Sequence, residues 1–338
     1  MMETNKSIGR TAGRYIRSIA LAEGQTAAAE AYAEAQNWID KSAIISQIKA
    51  AVGSSTLADI PQTDVGADFM MALRPRAILS RLERARKVPS RVNTIAFGTG
   101  TKAYPVNERK LIPVSRADMN GIQVIPIKVG GISVVTNELL NNSIPGTDEA
   151  LTADLALAVG EAEDATFFSP VVAGSIMNAA PTAVSAGTSL ANVDADLQKA
   201  IDLLIAAGGK LRDGAWIMTP ESALKLAGMR GTGGAPAFPN IGVDGGELLK
   251  LPVITSESAT GYLGLIDQSG VLVSGDARAE ISLARNATLQ MSDTPDDPPA
   301  ATSYVSMFQT ECTAIKGVLH RGWKARAGSA SYISGGLW

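Results

Sequence analysis

Residues 94–104 read TIAFGTGTKAY, and within them Gly98-Thr-Gly100-Thr-Lys-Ala103 matches the G-x-G-x-x-G/A string of a dinucleotide-binding turn. That string holds a pyrophosphate only where a buried strand runs into it and a helix starts on it. Here Tyr104-Pro105 follows, and Pro113 closes the stretch. Between the two prolines there is too little chain for a stable helix and no apolar stripe at helical spacing. The glycines are therefore read as a turn. Val88, Val92, Ile95 and Phe97 before them, and Leu111, Ile112 and Val114 after them, predict two strands joined by a long tip. Loops of this length are uncommon in compact domains unless they carry a function. A two-strand arm with so few large apolar residues is not stable alone and needs a neighbour.

The rest of the chain has material for a sizeable core. At 338 residues and 46% hydrophobic content it can form one to three globular units. A net charge of −3 argues against a dedicated nucleic-acid binder. Charge is nevertheless uneven: residues 61–110 hold ten Lys/Arg against four Asp/Glu, a net +6, which leaves −9 for the remainder. Such complementarity suits either a solvated charged face or pairing between copies of the chain. The single cysteine, Cys312, excludes an internal disulfide framework and fits a reducing compartment. The first twenty residues lack the apolar run of a secretory signal, and no stretch approaches the length of a membrane span.

The first sixty residues are alanine-rich and helical in pattern. Tyr15, Ile16, Ile19 and Ala20 form one stripe, a second segment runs from Thr26 to Trp38, and Ile44, Ile45, Ile48 and Val52 mark a third. Short helices of this kind must lie on something else. Ile122–Thr136 alternates as a strand, and a helix of about twenty residues follows from Asp148 to Phe168, with Leu151, Leu155, Val159, Ala162 and Thr166/Phe167 as its apolar positions. Residues 170–189 are rich in small residues and read as a linker. An α/β block comes next, with a helix over 193–207 and a strand over 215–218. After it come a helix opening at Pro220, a loop over 228–246 holding seven glycines, and strands near 252–255, 263–267, 271–274, 279–284 and 287–291. The acidic DTPDDPP at 293–299 ends the block, and from Ser303 the pattern is strand-like almost to Ile333.

Catalytic constellations are weak. Cys312 and His320 are unique in the chain, but eight residues of strand separate them by about 26 Å, too far for a nucleophile and its base. There is no G-x-S-x-G elbow, and Gly208-Gly209-Lys210 ends a helix instead of starting one. Glu161, Glu163 and Asp164 are spaced for a solvated helix face, and Asp293, Asp296 and Asp297 for an exposed turn. No cofactor or metal is expected.

The order of these parts resembles the Hong Kong 97 family of tailed-bacteriophage major capsid proteins. The strings that carry the resemblance are FMMALRPRAILSRLERARKVP (69–89), IPIKVGGISVVTNELLNNS (125–143), WIMTPESALKLAGMRGTGGAPAFP (216–239), GGELLKLPVITSES (245–258) and SYVSMFQTECTAIKGVLHRGWKARAGSASYI (303–333). The resemblance implies an α+β fold with a P-domain and its spine helix, an inserted A-domain, an extended E-loop and a helical N-terminal arm. On this chain those fall at 1–64 (arm), 65–86 (connection), 87–118 (E-loop), 119–186 (P-domain, spine about 148–168), 187–299 (A-domain) and 300–338 (return of the P-domain).

The implied function is structural and not enzymatic: hexamers and pentamers of one chain close into an icosahedral shell around packaged double-stranded DNA. The chain would be a virion component assembled in the host cytoplasm, with scaffold, portal and decoration proteins as further partners. Arg81, Arg84, Arg86, Lys102, Arg109 and Lys110 are the expected intersubunit cations, and Glu161, Glu163 and Asp164 the expected acids. As exposed pairs they would orient subunits more than stabilise them. The N-terminal arm is expected to be retained. Lys102 lies in the loop where some members form a lysine–asparagine crosslink, but no matching acceptor aligns and none is expected. An encapsulin-type cellular shell is the alternative within the same fold, and an NAD-dependent or hydrolytic enzyme the alternative outside it.

Overall fold

The computed structural model describes residues 10–22, 25–36, 38, 40–42, 44–45, 48, 64–73, 77–97, 103–108, 110–112, 114, 119–141, 147–231, 233–292 and 304–335. In chain order its helices are α1 (Arg10–Leu21), α2 (Thr26–Ala35), α3 (Asp64–Leu73), α4 (Ile78–Arg81), α5 (Asn137–Asn141), α6 (Thr147–Phe167), α7 (Leu190–Ala206) and α8 (Pro220–Gly228). The strands are β1 (Arg86–Val88), β2 (Asn93–Phe97), β3 (Met119–Gln123), β4 (Ile127–Thr136), β5 (Thr182–Val184), β6 (Gly214–Met218), β7 (Ile241–Gly242), β8 (Gly245–Leu248) and β9 (Leu251–Thr255). They continue with β10 (Tyr262–Asp267), β11 (Val271–Ser274), β12 (Arg278–Ala284), β13 (Thr288–Gln290), β14 (Tyr304–Ser306), β15 (Cys312–Arg321), β16 (Trp323–Ala325) and β17 (Ala330–Ser334). The chain divides into two units, one of residues 1–81, 128–163 and 278–320, the other of 82–127, 164–277 and 321–338.

The first unit is a helical layer on the three-stranded sheet β12-β15-β4. Apolar residues at helical spacing explain its core: Ala12, Tyr15, Ile16 and Ala20 of α1 and Phe69 and Leu73 of α3 cluster with Ile44, Ile48, Leu155, Val159, Ile315 and Leu319. Polar groups lock the N-terminal part. Thr11 Oγ1 donates to Asp40 Oδ2 at 2.9 Å, Arg14 is ion-paired with the same carboxylate, and its guanidinium lies 5.2 Å from the Trp38 ring centre. Burial pushes the Tyr15 phenol above its ordinary pKa. Helix α2 stops at Ala35, short of the expected Trp38, because Gln36 is already extended. Val52 lies outside the described residues.

The second unit is built on the seven-stranded sheet β5-β17-β10-β6-β9-β8-β7. Trp216, Leu265, Leu204 and Leu226 are fully buried in its core. Helix α7 is capped by Ser189, whose hydroxyl accepts from Asn192 N, and α8 by Thr219 with Pro220 in its first turn. Residues 170–189 are not a linker. Val184 and its neighbours in β5 pair parallel with β17, Ile176 and Met177 are buried, and Trp323 Nε1 donates to Gly174 O at 3.1 Å. Small residues made this segment look like a spacer; the close approach beside it is made at a glycine of β10. At Gly264 a Cβ would lie 2.4 Å from Phe168 Cζ.

A tight knot holds the end of this sheet together. Asp267 is fully buried and its carboxylate accepts from Ser269 N, Ser269 Oγ, Lys210 N and Arg326 Nη2. Beside it Gly328 has φ +76°, and a Cβ there would sit 2.0 Å from Ala207 O.

Candidate functional site

The two-strand arm is anchored at its root and bare beyond it. Strand β1 pairs parallel with β11, setting Arg86 opposite Leu272 and Val88 opposite Ser274. Val88 is buried with Val124 and Leu272. Past the strand, Ser90 N and Oγ both donate to Asp276 Oδ1, at 3.1 and 2.6 Å. Arg91 sits at φ 58°, with its N–H on Val124 O and its carbonyl accepting from Gln123 Nε2. These bonds fix the direction in which the chain enters the ribbon.

From there β2 and β3 form an antiparallel ribbon, Asn93 opposite Gln123 and Phe97 opposite Met119. This corrects the expected pairing, which put the returning strand at Leu111–Val114. Pro113 lacks the N–H that a ladder needs, and the return strand forms only after it. The predicted continuous strand over 122–136 is likewise split around Pro126 into β3 and β4.

Between the two ribbon strands, the described residues 103–108, 110–112 and 114 have neither helix nor strand. Leu111 is 95% exposed, Ile112 77% and Val114 96%. Single exposed apolar residues are ordinary, but three large ones in one irregular segment are not. Burying each would yield about 1.5–3 kcal/mol. The segment is thus built to be covered. The residue pattern puts these positions on a strand of an arm that needs a neighbour; their exposure agrees with the need for a neighbour, and the proline between them is the signal against the strand.

The expected contact residues fall into different settings. Arg86 and Lys110 are exposed and Arg81 is half-buried. Arg84 is exposed and engaged within its own unit, donating to Asp213 Oδ1 at 3.1 Å and to Arg212 O at 2.8 Å. Lys102 and Arg109, with Gly98 and Gly100, lie outside the described residues, as do Asp293, Asp296 and Asp297. Of the three expected acids, Glu161 is exposed. Glu163 and Asp164 are buried, a correction to the solvated face read from their spacing. Asp164 Oδ2 accepts from the buried Ser256 hydroxyl at 2.7 Å. The spacing was ambiguous because α6 carries alanines and leucines all round and has no dominant apolar face.

Cys312 and His320 both lie in the one strand β15, so the distance argument against a dyad holds. Among the described residues no cluster of His, Cys, Asp and Glu could hold a metal ion, and no helix is long and apolar enough to cross a membrane.

Residues 62–325 match the phage capsid family. The chain is 32% identical over 317 residues to the capsid polyprotein of Pseudomonas phage PAJU2, covering 86% of this chain and 48% of that protein. It thus spans about half the length of this curated relative. Among solved structures, a chain from Mycobacterium phage Ogopogo superposes with a TM-score of 0.55 at 15% identity, over 85% of this chain and 97% of that one. One from Mycobacterium phage Bobi gives 0.51 at 12% identity, over 86% and 97%.

Proposed function

Since the chain belongs to the phage capsid family, we propose that it forms the shell by closing hexamers and pentamers of itself around packaged double-stranded DNA. Its fold is of the Hong Kong 97 type, and its role is that of a structural virion component and not an enzyme. The cellular-compartment alternative is not favoured by these relatives.

The observation that supports self-assembly is the arm. Its root is pinned by β1 and the Ser90–Asp276 bonds, while Leu111, Ile112 and Val114 face water. A repeated subunit can bury them on its neighbour, in a contact that closes into rings when its rotation allows. In this reading the exposed cations Arg86 and Lys110 set register against acidic groups of the next copy, with Glu161 a candidate. Arg81, Lys102 and Arg109 complete the proposed cations; the buried Glu163 and Asp164, and Arg84 on Asp213, are engaged within the chain and drop out of the contact set. Assembly in the host cytoplasm, with scaffold, portal and decoration proteins, belongs to the same proposal.

Sedimentation of the purified chain with negative-stain microscopy tests it. Capsomers and closed shells are expected; a homogeneous monomer or small oligomer at high concentration would count against a shell-forming subunit.

A further inference from the structure

The first unit carries a charged sheet face with no part in the arm. On β15 and β12, His320 is opposite Arg278, Val318 opposite Glu280 and Lys316 opposite Ser282. The neighbouring strand β4 is placed by three facts. A Cβ on Gly130 would lie 3.4 Å from Val318 Cγ2, Gly131 and Gly317 both face Leu155, and Asn137 N donates to Glu311 O. β4 therefore runs antiparallel to β15, and two residues back from Gly130 Lys128 falls beside His320. One cross-strand row thus reads Lys128, His320, Arg278, spanning about 10 Å at ordinary strand spacing. Lys316 lies on the same face one row beyond Gly130 and Val318.

Lys128 and Lys316 are exposed, and the Arg278 side chain is 50% exposed. The carboxylate on this face is Glu280, 3.0 Å from Arg278. Lys128 and Arg278 stand on either side of β15 with His320 between them, and with Lys316 they outnumber the Glu280 carboxylate, so the face is net positive. Gly130 leaves the middle of the face flat. No Phe, Tyr or Trp stands on these rows, the exposed apolar side chain there is Ile132 beside Lys316, and lysine is depleted from the cores of protein–protein contacts. Nucleic-acid contacts, by contrast, are polar and positive.

We propose that this face, Lys128, Lys316 and Arg278 around the bare Gly130, makes sequence-independent contacts to the phosphate backbone of duplex DNA. The proposal rests on the reading of the chain as the wall of a genome-enclosing shell. The net negative charge of the whole chain fits the task. It keeps general affinity low and confines attraction to one surface, through counterion release at a few phosphates.

The test uses the full chain as unassembled subunits, a short mixed-sequence fluorescent duplex and a salt series, with shell formation scored separately by sedimentation. With three phosphate contacts, wild-type affinity is expected to fall about 40-fold between roughly 50 and 200 mM salt. For Lys128→Ala with Lys316→Ala the fall should shrink to about 4-fold. Lys→Arg at both positions should retain the wild-type slope. No duplex binding by the wild type, or an unchanged slope in the alanine variant, would overturn the proposal. So would loss of shell formation with DNA binding intact, which would assign the face to an acidic surface of a second copy. Failure of the wild type to form shells would instead strike the shell reading, leaving the DNA measurement to stand by itself.

Discussion

Asp267→Ala is expected to cost about 3 kcal/mol of unfolding free energy, roughly two orders of magnitude in the folding equilibrium. The carboxylate is fully buried and accepts from two backbone N–H groups, a hydroxyl and a guanidinium on three chain segments. Removing it leaves those donors without their acceptor in a place water reaches poorly, which costs more than the bonds are worth when intact. Arg326→Ala should cost less, because that side chain is 26% exposed and solvent replaces part of what it loses. Chemical denaturation of both variants checks the order. Equal, small effects would mean that the turn around Gly328, and not the carboxylate, holds the sheet end together.

Leu111→Asp combined with Val114→Asp should have the opposite profile. Both side chains are almost fully exposed in the single chain, so unfolding should move by no more than about 0.5 kcal/mol. Shell formation should be lost. Two apolar anchors go, and two carboxylates would have to be desolvated at the contact. A variant that sediments as wild-type shells would show that another surface carries assembly. One that fails to fold would show that the arm is already buried in its own chain.

Much of the architecture was legible in the residue pattern because it rests on strong local signals. Ser189 and Thr219 cap α7 and α8, Pro220 opens the second of these, and short continuous apolar runs mark β10 and β11. The order of motifs was enough for the family. Long-range pairing was less legible. Nothing local shows that β1 joins β11, or that Thr182–Val184 adds an edge to a seven-stranded sheet, since those partners lie far off in sequence. Burial of Glu163 and Asp164 was hidden for a related reason: on a helix with apolar residues all round, spacing does not say which side faces inward. The same gap applied to the charged sheet face. Lys128, His320, Arg278 and Lys316 come from three strands, and only the register brings them together.

The central claim is that the segment around Leu111 finds its apolar partner on another copy of the chain. Amide hydrogen exchange over residues 103–112, compared between isolated subunits and assembled shells, tests it most directly. The account predicts near-unprotected exchange in the isolated chain, and exchange slowed at least about tenfold in the shell. Strong protection of that segment in a solitary subunit would contradict it.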